Sequence, residues 1–375
     1  MSSKVTIMEQ IPILFAIDKI GRGGTELQLV GLINNLDRSL FRPYLLTLRA
    51  GDDSVLPRDC FCKRLGLDTL VSRRGTASLF HLVRFLTTER IKIVQTFFQD
   101  PTLLIGTAAI MARVPVRLGS FRDLGFWRTR LTETALRVVY RGLTGFIANS
   151  QAVKTHFCQR DGLDPDKVTV IYNGTDPDKF TFAAPADKPR LIGLLSNLNR
   201  DVKRADLFVE AAGHVAAAHP DARWEILGDG PQRPELERRA LELGLAGRLR
   251  FLGHRADVAE VLGGWDIGVV CSDSEGLSNA LLEFMLSGCA AVATAVGGNR
   301  ETLTHDETGL LVPPGNARAL AETIERLLND GRLASRLAFA ARARATARYS
   351  WSRCAEDHSR LYLRALSEAN GQAKT

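Results

Sequence analysis

The chain of 375 residues is 45% hydrophobic and 24% charged, the balance of a soluble globular protein, which excludes disordered and fibrous classes. Its length suits two or three domains, each long enough to bury its own core. The formal charge of +7 is uneven: residues 1–185 hold 25 Lys and Arg against 17 Asp and Glu, the remainder 24 against 25.

The first apolar run, Ile11 to Ile17, holds Pro12 and ends at Asp18. It reads as a strand and not as a signal peptide, and no later run approaches the ~18 residues of a spanning helix. The chain is therefore expected to be cytoplasmic. Strands are expected at Pro12–Ile17, Tyr44–Leu48, Ile91–Gln95, Val116–Gly119 and Phe146–Ala148. Helical patterns lie between them; Leu29, Leu32, Ile33 and Leu36 follow the spacing of one buried helix face. A second set of strands is expected at Leu191–Leu195, Trp224–Leu227, Leu249–Leu252, Ile267–Cys271 and Ala291–Thr294, with helices such as Ala205–Ala218 and Ala319–Leu328. Short continuous apolar strands alternating with helices imply parallel sheets covered on both faces. The expected fold is α/β, with two doubly wound, Rossmann-like domains. The boundary is placed in the Pro/Ala/Asp stretch Ala183–Pro189, giving domains 1–183 and 184–375. From Ala334 to Leu366 the chain is Ala/Arg-rich and helical in pattern, with a break near Tyr349–Trp351 and a tail at Gln372–Thr375.

Ligands of open α/β sheets bind at the C-terminal ends of strands, and three strand-to-helix loops stand out there. Gly21 to Glu26 (GRGGTE) follows the first strand and opens a helix; adjacent glycines admit a ligand to the backbone and a helix start favours an anion. It lacks both the dinucleotide spacing and a P-loop ending, so a tight turn explains it equally well. Asn197 to Arg204 (NLNRDVKR) brings Arg200 and Lys203 to a strand end, where two cations suit a diphosphate; the alternative is a solvated loop. Ser272 to Glu283 is the most informative. A small polar loop leads into a helix near Ser278, and Glu283 falls within the apolar run Ala280–Leu286. A carboxylate there is costly to bury unless it accepts hydrogen bonds, and vicinal sugar hydroxyls would supply them; the alternative is a helix whose Glu283 simply reaches solvent.

The cysteines Cys60, Cys62, Cys158, Cys271, Cys289 and Cys354 form no C-x-x-C pair, and no histidine lies in an H-E-x-x-H motif. A disulfide framework, a zinc site and a His-held catalytic metal are not expected. Asp164-Pro165-Asp166 and Asp176-Pro177-Asp178 imitate a D-x-D metal motif, but the central proline marks turns. The basic run Arg113, Arg117, Arg122, Arg128, Arg130, Arg137 and Arg141 favours an anionic partner, either a phosphorylated substrate or an anionic membrane face, unless it is merely a solvated face. Nucleic acid is not expected, because no aromatic-interleaved basic motif accompanies the charge.

Several segments together carry a resemblance: GRGGTE from Gly21, FIANSQAVKTHF from Phe146, VIYNGTDPDKF from Val170, ILGDGPQRPELE from Ile226, FLGHRADV from Phe251, SEGLSNALLEFMLSG from Ser274, VATAVGGNRE from Val292 and GLLVPPG from Gly309. In this order and spacing they resemble the retaining glycosyltransferases of GT-B fold, glycosyltransferase family four, over most of the chain. The resemblance implies two Rossmann-like domains facing across a cleft, the first for the acceptor and the second for a nucleotide-diphospho-sugar donor, with the last helix able to return to the first domain. It implies Glu283 on the ribose hydroxyls, Glu275 beside the donor sugar, and Arg200 and Lys203 on the diphosphate. Gly24, Leu277, Ser278 and Asn279 would complete the phosphate cradle, and Gly253, His254 and Arg255 would lie by the base.

The implied reaction moves a sugar, with retention and without a metal or other cofactor, to a glycan, lipid-linked or small-molecule acceptor; the donor is a substrate. Two departures stand out. The usual G-R-L segment reads Ser196-Asn197-Leu198, leaving Arg200 to substitute for the missing arginine. The strand near Val94 has no histidine, so Gln99 and Asp100, with Arg122 and Asp123, are the polar acceptor candidates. An inactive nucleotide-sugar-binding scaffold and a nucleotide-sugar epimerase are the competing readings.

Overall fold

A computed structural model describes residues 9–125 and 129–372; Arg128 of the basic run and residues 373–375 of the tail lie outside them. The chain divides into two compact units, one of Met1–Gly174 with Trp351–Thr375, the other of Thr175–Ser350.

The first unit is built on a parallel sheet of β1 (Ile11–Ile17), β2 (Phe41–Thr47), β3 (Phe61–Arg64), β4 (Ile93–Phe97), β5 (Val116–Phe121), β6 (Gly145–Ala148) and β7 (Val168–Val170), in the order β3-β2-β1-β4-β5-β6-β7. Residues 13–17 of β1 are fully buried because both faces are covered. Ile13, Phe15 and Ile17 enter one core, Leu14 and Ala16 the other, as the two-residue period of a strand requires. The helix Trp351–Gln372 packs on the first of these cores through Cys354, Leu361 and Tyr362. Its Trp351 ring fills the space where a Cβ on Gly31 or Gly174 would stand, and the Tyr362 hydroxyl donates to Gln95 Oε1.

The second unit repeats the plan with β8 (Leu191–Leu195), β9 (Arg223–Leu227), β10 (Leu249–Gly253), β11 (Ile267–Val270), β12 (Ala290–Thr294) and β13 (Leu310–Val312), ordered β10-β9-β8-β11-β12-β13 and parallel throughout. Phe208, Trp224, Ile267, Val292 and Leu337 belong to one of its cores, and Trp265, Val270, Leu282, Phe284 and Ala293 are buried outside that cluster.

The expected boundary needs correction. Chain crossings fall at Gly174/Thr175 and Ser350/Trp351, and the stretch 183–189 lies inside the second unit. Its backbone is fastened there: Ala183 N–H donates to Ser287 O (3.0 Å), Ala186 N–H to Asp266 Oδ1 (3.0 Å), and Ser335 Oγ–H to Pro185 O (3.2 Å). Low hydrophobicity marked a surface stretch, which is not the same as a linker. Strands β3, β7 and β13 were not expected; at three or four residues each they are too short for periodicity to reveal. Among the described residues no helix is long and apolar enough to cross a membrane.

Candidate active site

In the second unit β8 pairs with β11, while β9 and β10 extend one side and β12 and β13 the other. The loops after β8 and β11 therefore meet at the topological switch point, the usual crevice of such sheets. The loop after β8 forms a short 3-10 turn, Asp201–Lys203, followed by Arg204 in the left-handed region at φ 51°. Arg204 is held by Asp206 (Nη2–Oδ2, 2.9 Å) and Asp273 (Nη1–Oδ2, 3.1 Å), and Asp273 N–H donates to Val202 O at 2.9 Å. These contacts clamp the two loops. Between them Lys203 Nζ lies 2.7 Å from Glu275 Oε1, and Ser272 Oγ–H donates to the same oxygen at 2.7 Å. Glu275 is only 8% exposed and Lys203 31%, so the pair is partly withdrawn from water. Arg200 caps the 3-10 turn and is exposed.

A second feature fixes the Glu275 loop from behind. After β12 the chain passes through Gly297, at φ +43°, and Gly298. A Cβ on Gly297 would overlap the Glu275 carbonyl oxygen, and one on Gly298 the Gly276 carbonyl oxygen. Gly298 N–H donates to Gly276 O at 3.1 Å, and Thr294 Oγ1–H to Ser272 O at 2.6 Å. Only hydrogen fits where these backbones cross.

The helix Asn279–Ser287 starts at Ser278, whose side chain accepts from Leu281 N–H (3.3 Å). Leu277 and Ser278 are buried and Asn279 is half-buried. Leu281, Leu282, Phe284, Met285 and Leu286 are all in the core, and Glu283 sits among them. It makes no hydrogen bond or ion pair among the described residues, retains a little solvent contact, and burial lifts its pKa to about 7. A carboxyl held this way is short of donors.

At the outer strand ends, Gly228 N–H donates to Gly253 O (2.9 Å), and Gly253 has φ +66°. His254 and Arg255 are exposed, and Arg255 Nε donates to Asp257 Oδ1 at 2.8 Å. Asp229, at the end of β9, accepts from Gly230 N–H (2.8 Å) and Arg233 Nη1 (3.0 Å). The Gly230 bond comes first in holding its carboxyl below the ordinary value. In the second unit Arg200, Lys203, Glu275, Leu277, Ser278, Asn279, Gly253, His254 and Arg255 all lie at or beyond the C-terminal ends of β8, β10 and β11, with Glu283 on the helix after β11, and the structure pairs Lys203 with Glu275.

The first unit has its own switch point between β1 and β4. Gly23 caps the helix Gly24–Asn35, and the Glu26 carboxylate folds back over Gly23, covering the helix start on that side. Asp100 is paired: Arg49 Nη2 lies 2.7 Å from Asp100 Oδ2, and Arg49 also binds Asp18. Burial is the main cause holding the Asp18 pKa above its ordinary value, against the pull of Arg49. Gln99 Oε1 is buried without a partner among the described residues. Phe98, just before it, has φ 66°, strain of a kind that collects at functional loops. A cavity over the ends of β4 and β5 is lined by Phe98, Thr102, Ser120, Phe121, Arg122 and Asp123. Arg122 Nη2 donates to Asn173 Oδ1 (2.8 Å), its Nε is buried without an acceptor among the described residues, and burial lowers its pKa to about 10. Asp123 Oδ1 accepts from Gly125 N–H at 2.8 Å.

Asp164 and Asp176 cap short 3-10 turns, accepting from Asp166 N–H (3.0 Å) and Asp178 N–H (3.2 Å), as the turn reading expects. Five participants were missed. Gly297 and Gly298 had a visible signal, a glycine pair after a strand. Ser272, Arg204 and Arg49 had none, because each acts on a residue distant in sequence.

Two family models match: "Glycosyltransferase Family 4" over residues 22–179 and "Glycosyl transferases group 1" over residues 189–330. The lipopolysaccharide core biosynthesis glycosyltransferase LpsE of Rhizobium meliloti is 31% identical over 249 residues, 64% of this chain and 69% of that protein. The chain belongs to this glycosyltransferase family. The Vi polysaccharide biosynthesis protein VipC/TviE of Salmonella typhi is 27% identical over 252 residues, 62% of this chain, and the match spans only 43% of that protein's length. HepE of Anabaena, solved in complex with UDP, superposes with a TM-score of 0.81 at 22% identity, covering 94% of this chain and 99% of its own. That likeness shows the GT-B fold of paired parallel-sheet units.

Proposed function

We propose that the protein transfers a sugar from a nucleotide-diphospho-sugar to a glycan, lipid-linked or small-molecule acceptor, with retention at the anomeric carbon and without a metal ion. The observation that carries this reading is Glu283, a largely buried carboxyl among core side chains that has no donor among the described residues, on the helix whose first turn lies at the switch point. Two ribose hydroxyls would satisfy it, each charged hydrogen bond contributing roughly 1.5–3 kcal/mol. A diphosphate beside them meets Arg200, Lys203 and the N–H groups at Leu277, Ser278 and Asn279. Support for the donor class also comes from HepE, whose solved forms include complexes with UDP and UDP-glucose.

The chemistry follows from where charge develops. The acceptor oxygen bonds to the anomeric carbon while the bond from that carbon to the diphosphate oxygen breaks. The departing phosphate takes the acceptor's proton on the same face, which preserves configuration. Arg200, Lys203 and the helix N–H groups stabilise the growing negative charge, commonly the largest catalytic term. Lys203 is engaged with Glu275 at 2.7 Å, so donor binding redistributes that contact: the lysine gains phosphate, and the Glu275 carboxylate gains hydroxyls of the donor sugar. We assign acceptor contacts to Gln99, Asp100, Arg122 and Asp123, with Gln99 Oε1 the atom still lacking a donor. Gly24 is kept as a phosphate contact. The basic first unit is further proposed to dock on an anionic membrane; failure to sediment with acidic vesicles at low salt would discard that point.

Thermal unfolding with UDP-, GDP- and ADP-sugars in EDTA tests the donor site. A ligand at a hundredfold excess over its Kd stabilises by about 2.7 kcal/mol. Stabilisation by one nucleotide class, lost in Glu283→Ala, followed by an acceptor screen with NMR of the product anomer, supports the proposal. No response to any nucleotide-sugar refutes it.

A further inference from the structure

We infer that the first unit holds a second, non-catalytic sugar-binding pocket at the opposite end of its sheet, one that grips a hexose residue of a glycan chain. Tyr44 of β2 pairs with Phe61 at the start of β3. Tyr44 is midway along β2, and Phe61 opens β3; Arg42 near the start of β2, Asp59 before β3 and Glu89 before β4 set the group toward the N-terminal side of the strands, away from the C-terminal loops that carry the acceptor candidates. Phe61 is 49% exposed, an unusual position for phenylalanine on an edge strand. It lies nearly parallel to Phe85 of the helix Arg73–Thr88 (24° between planes, centroids 6.1 Å) and 5.6 Å from the Tyr44 ring.

These rings form one wall of a cavity of about 300 Å³, completed by Arg42, Pro43, Asp59 and Glu89. Its volume is at the lower end of the range for small-molecule sites. The polar groups are set in place. Tyr44 O–H donates to Glu89 Oε2 at 2.8 Å, and the Arg42 guanidinium stands 5.3 Å over the Tyr44 ring. Asp59 adopts φ 46°, in a turn that Arg38 holds through Asp59 O (3.3 Å) and Arg58 O (3.0 Å). The Asp59 carboxylate makes no hydrogen bond or ion pair among the described residues.

A hexose has an apolar face of C–H bonds and a rim of hydroxyls. The exposed Phe61 ring offers a platform for the first, while Asp59 and Glu89 accept from hydroxyls and Arg42 donates to them. The mixture of one cation, two carboxylates and three rings suits a neutral, hydroxyl-rich ligand better than an anion, and Arg42 already occupies the Tyr44 face that an ammonium would seek. The choice of ligand rests on the glycan-handling reading above; the pocket itself does not.

The test uses the full chain and a panel of methyl glucosides, galactosides, mannosides and N-acetylhexosaminides, observed by ligand-detected NMR with UDP-sugar present. At least one glycoside should bind wild type, with affinity falling tenfold or more in both Phe61→Ala and Asp59→Asn. Both variants should keep the UDP-sugar thermal shift and the wild-type melting temperature, since both positions are exposed. Glu283→Ala should lose the nucleotide response and retain the glycoside, which separates failure of this proposal from failure of the donor-site reading. Glycoside binding unchanged in both variants, or binding of tetramethylammonium with no glycoside, overturns the inference.

Discussion

Glu283→Gln tests the donor site through two effects of opposite sign. The ordinary glutamate pKa is near 4.5 and burial raises this one to about 7. Between those values the folded state holds a proton that the unfolded chain has released. Stability therefore falls as pH rises across this window, is undiminished below 4.5, and reaches its full loss above about 7. At about 1.4 kcal/mol per pH unit the loss is at most roughly 3 kcal/mol, and the remaining solvent contact makes it smaller. Glutamine never ionises, so the ligand-free variant should match wild type at pH 4.5 and exceed it at pH 8 by up to ~6–12 °C in Tm, at ~2–4 °C per kcal/mol.

Binding moves the other way. Ribose hydroxyls donate, so they need the carboxylate, and exchanging charged for neutral acceptors should weaken the UDP-sugar about tenfold. Wild-type affinity should also tighten about tenfold from pH 6 to 8, following the ionised fraction, whereas the variant's affinity stays flat. A UDP-sugar is the right probe because its diphosphate does not titrate in that range. Differential scanning fluorimetry supplies the first result and calorimetric titration the second. Equal stability of the two proteins at pH 8, together with equal affinity, would refute both the burial argument and the ribose assignment.

Three further outcomes are expected. Lys203→Met leaves Glu275, 8% exposed, with Ser272 as its only side-chain donor among the described residues and should lower Tm and cut kcat at least a hundredfold; adding Glu275→Gln should recover Tm but not turnover, and recovery of both would make the pair merely structural. Gly298→Ala forces a methyl against the Gly276 carbonyl and should displace the Glu275 loop, weakening UDP-sugar binding by tenfold or more in titration; an unaffected Kd contradicts the clamp. Arg49→Leu leaves Asp18 and Asp100 facing each other without their cation, so Asp18, already raised by burial, rises further. The variant's Tm deficit should be larger at pH 7.5 than at pH 4, and an equal deficit at both would rule out the charge argument.

The fold was legible where burial is symmetrical. Strands such as β1 and β11 are apolar on both faces, so they read as short continuous runs, and their alternation with helices implies the parallel sheets that the structure shows. Legibility failed where the residues lack that pattern. β3 reads FCKR and is half-exposed at the sheet edge, and nothing in its composition announces a strand. The domain boundary failed for a different reason. Polar, proline-containing segments mark surface chain, but whether such a segment belongs to one unit or joins two depends on what its N–H groups find, here Asp266 and the Ser287 carbonyl.

The candidate site divides along the same line. Motifs that act on their own backbone are local and can be read directly: Ser278 at a helix start, Asp164 and Asp176 as turn caps. Glu283 was legible as an anomaly, a charge within an apolar run, and the structure retains that anomaly by giving it no donor. Pairings across the sheet edge were not legible. Arg49 joins Asp18 and Asp100, three residues that follow three different strands. Their proximity comes from the order β2-β1-β4 and from nothing within any one loop. Lys203 was read as a phosphate ligand from its cation alone, but the structure sets it first against Glu275. A charge pair already made at the switch point costs a donor less to enter than two unsatisfied charges would require to be stable without one. The same exchange of partners that admits the diphosphate would then leave Glu275 available to the sugar, so the two residues act as a unit whose separate substitution should never sum to their joint effect.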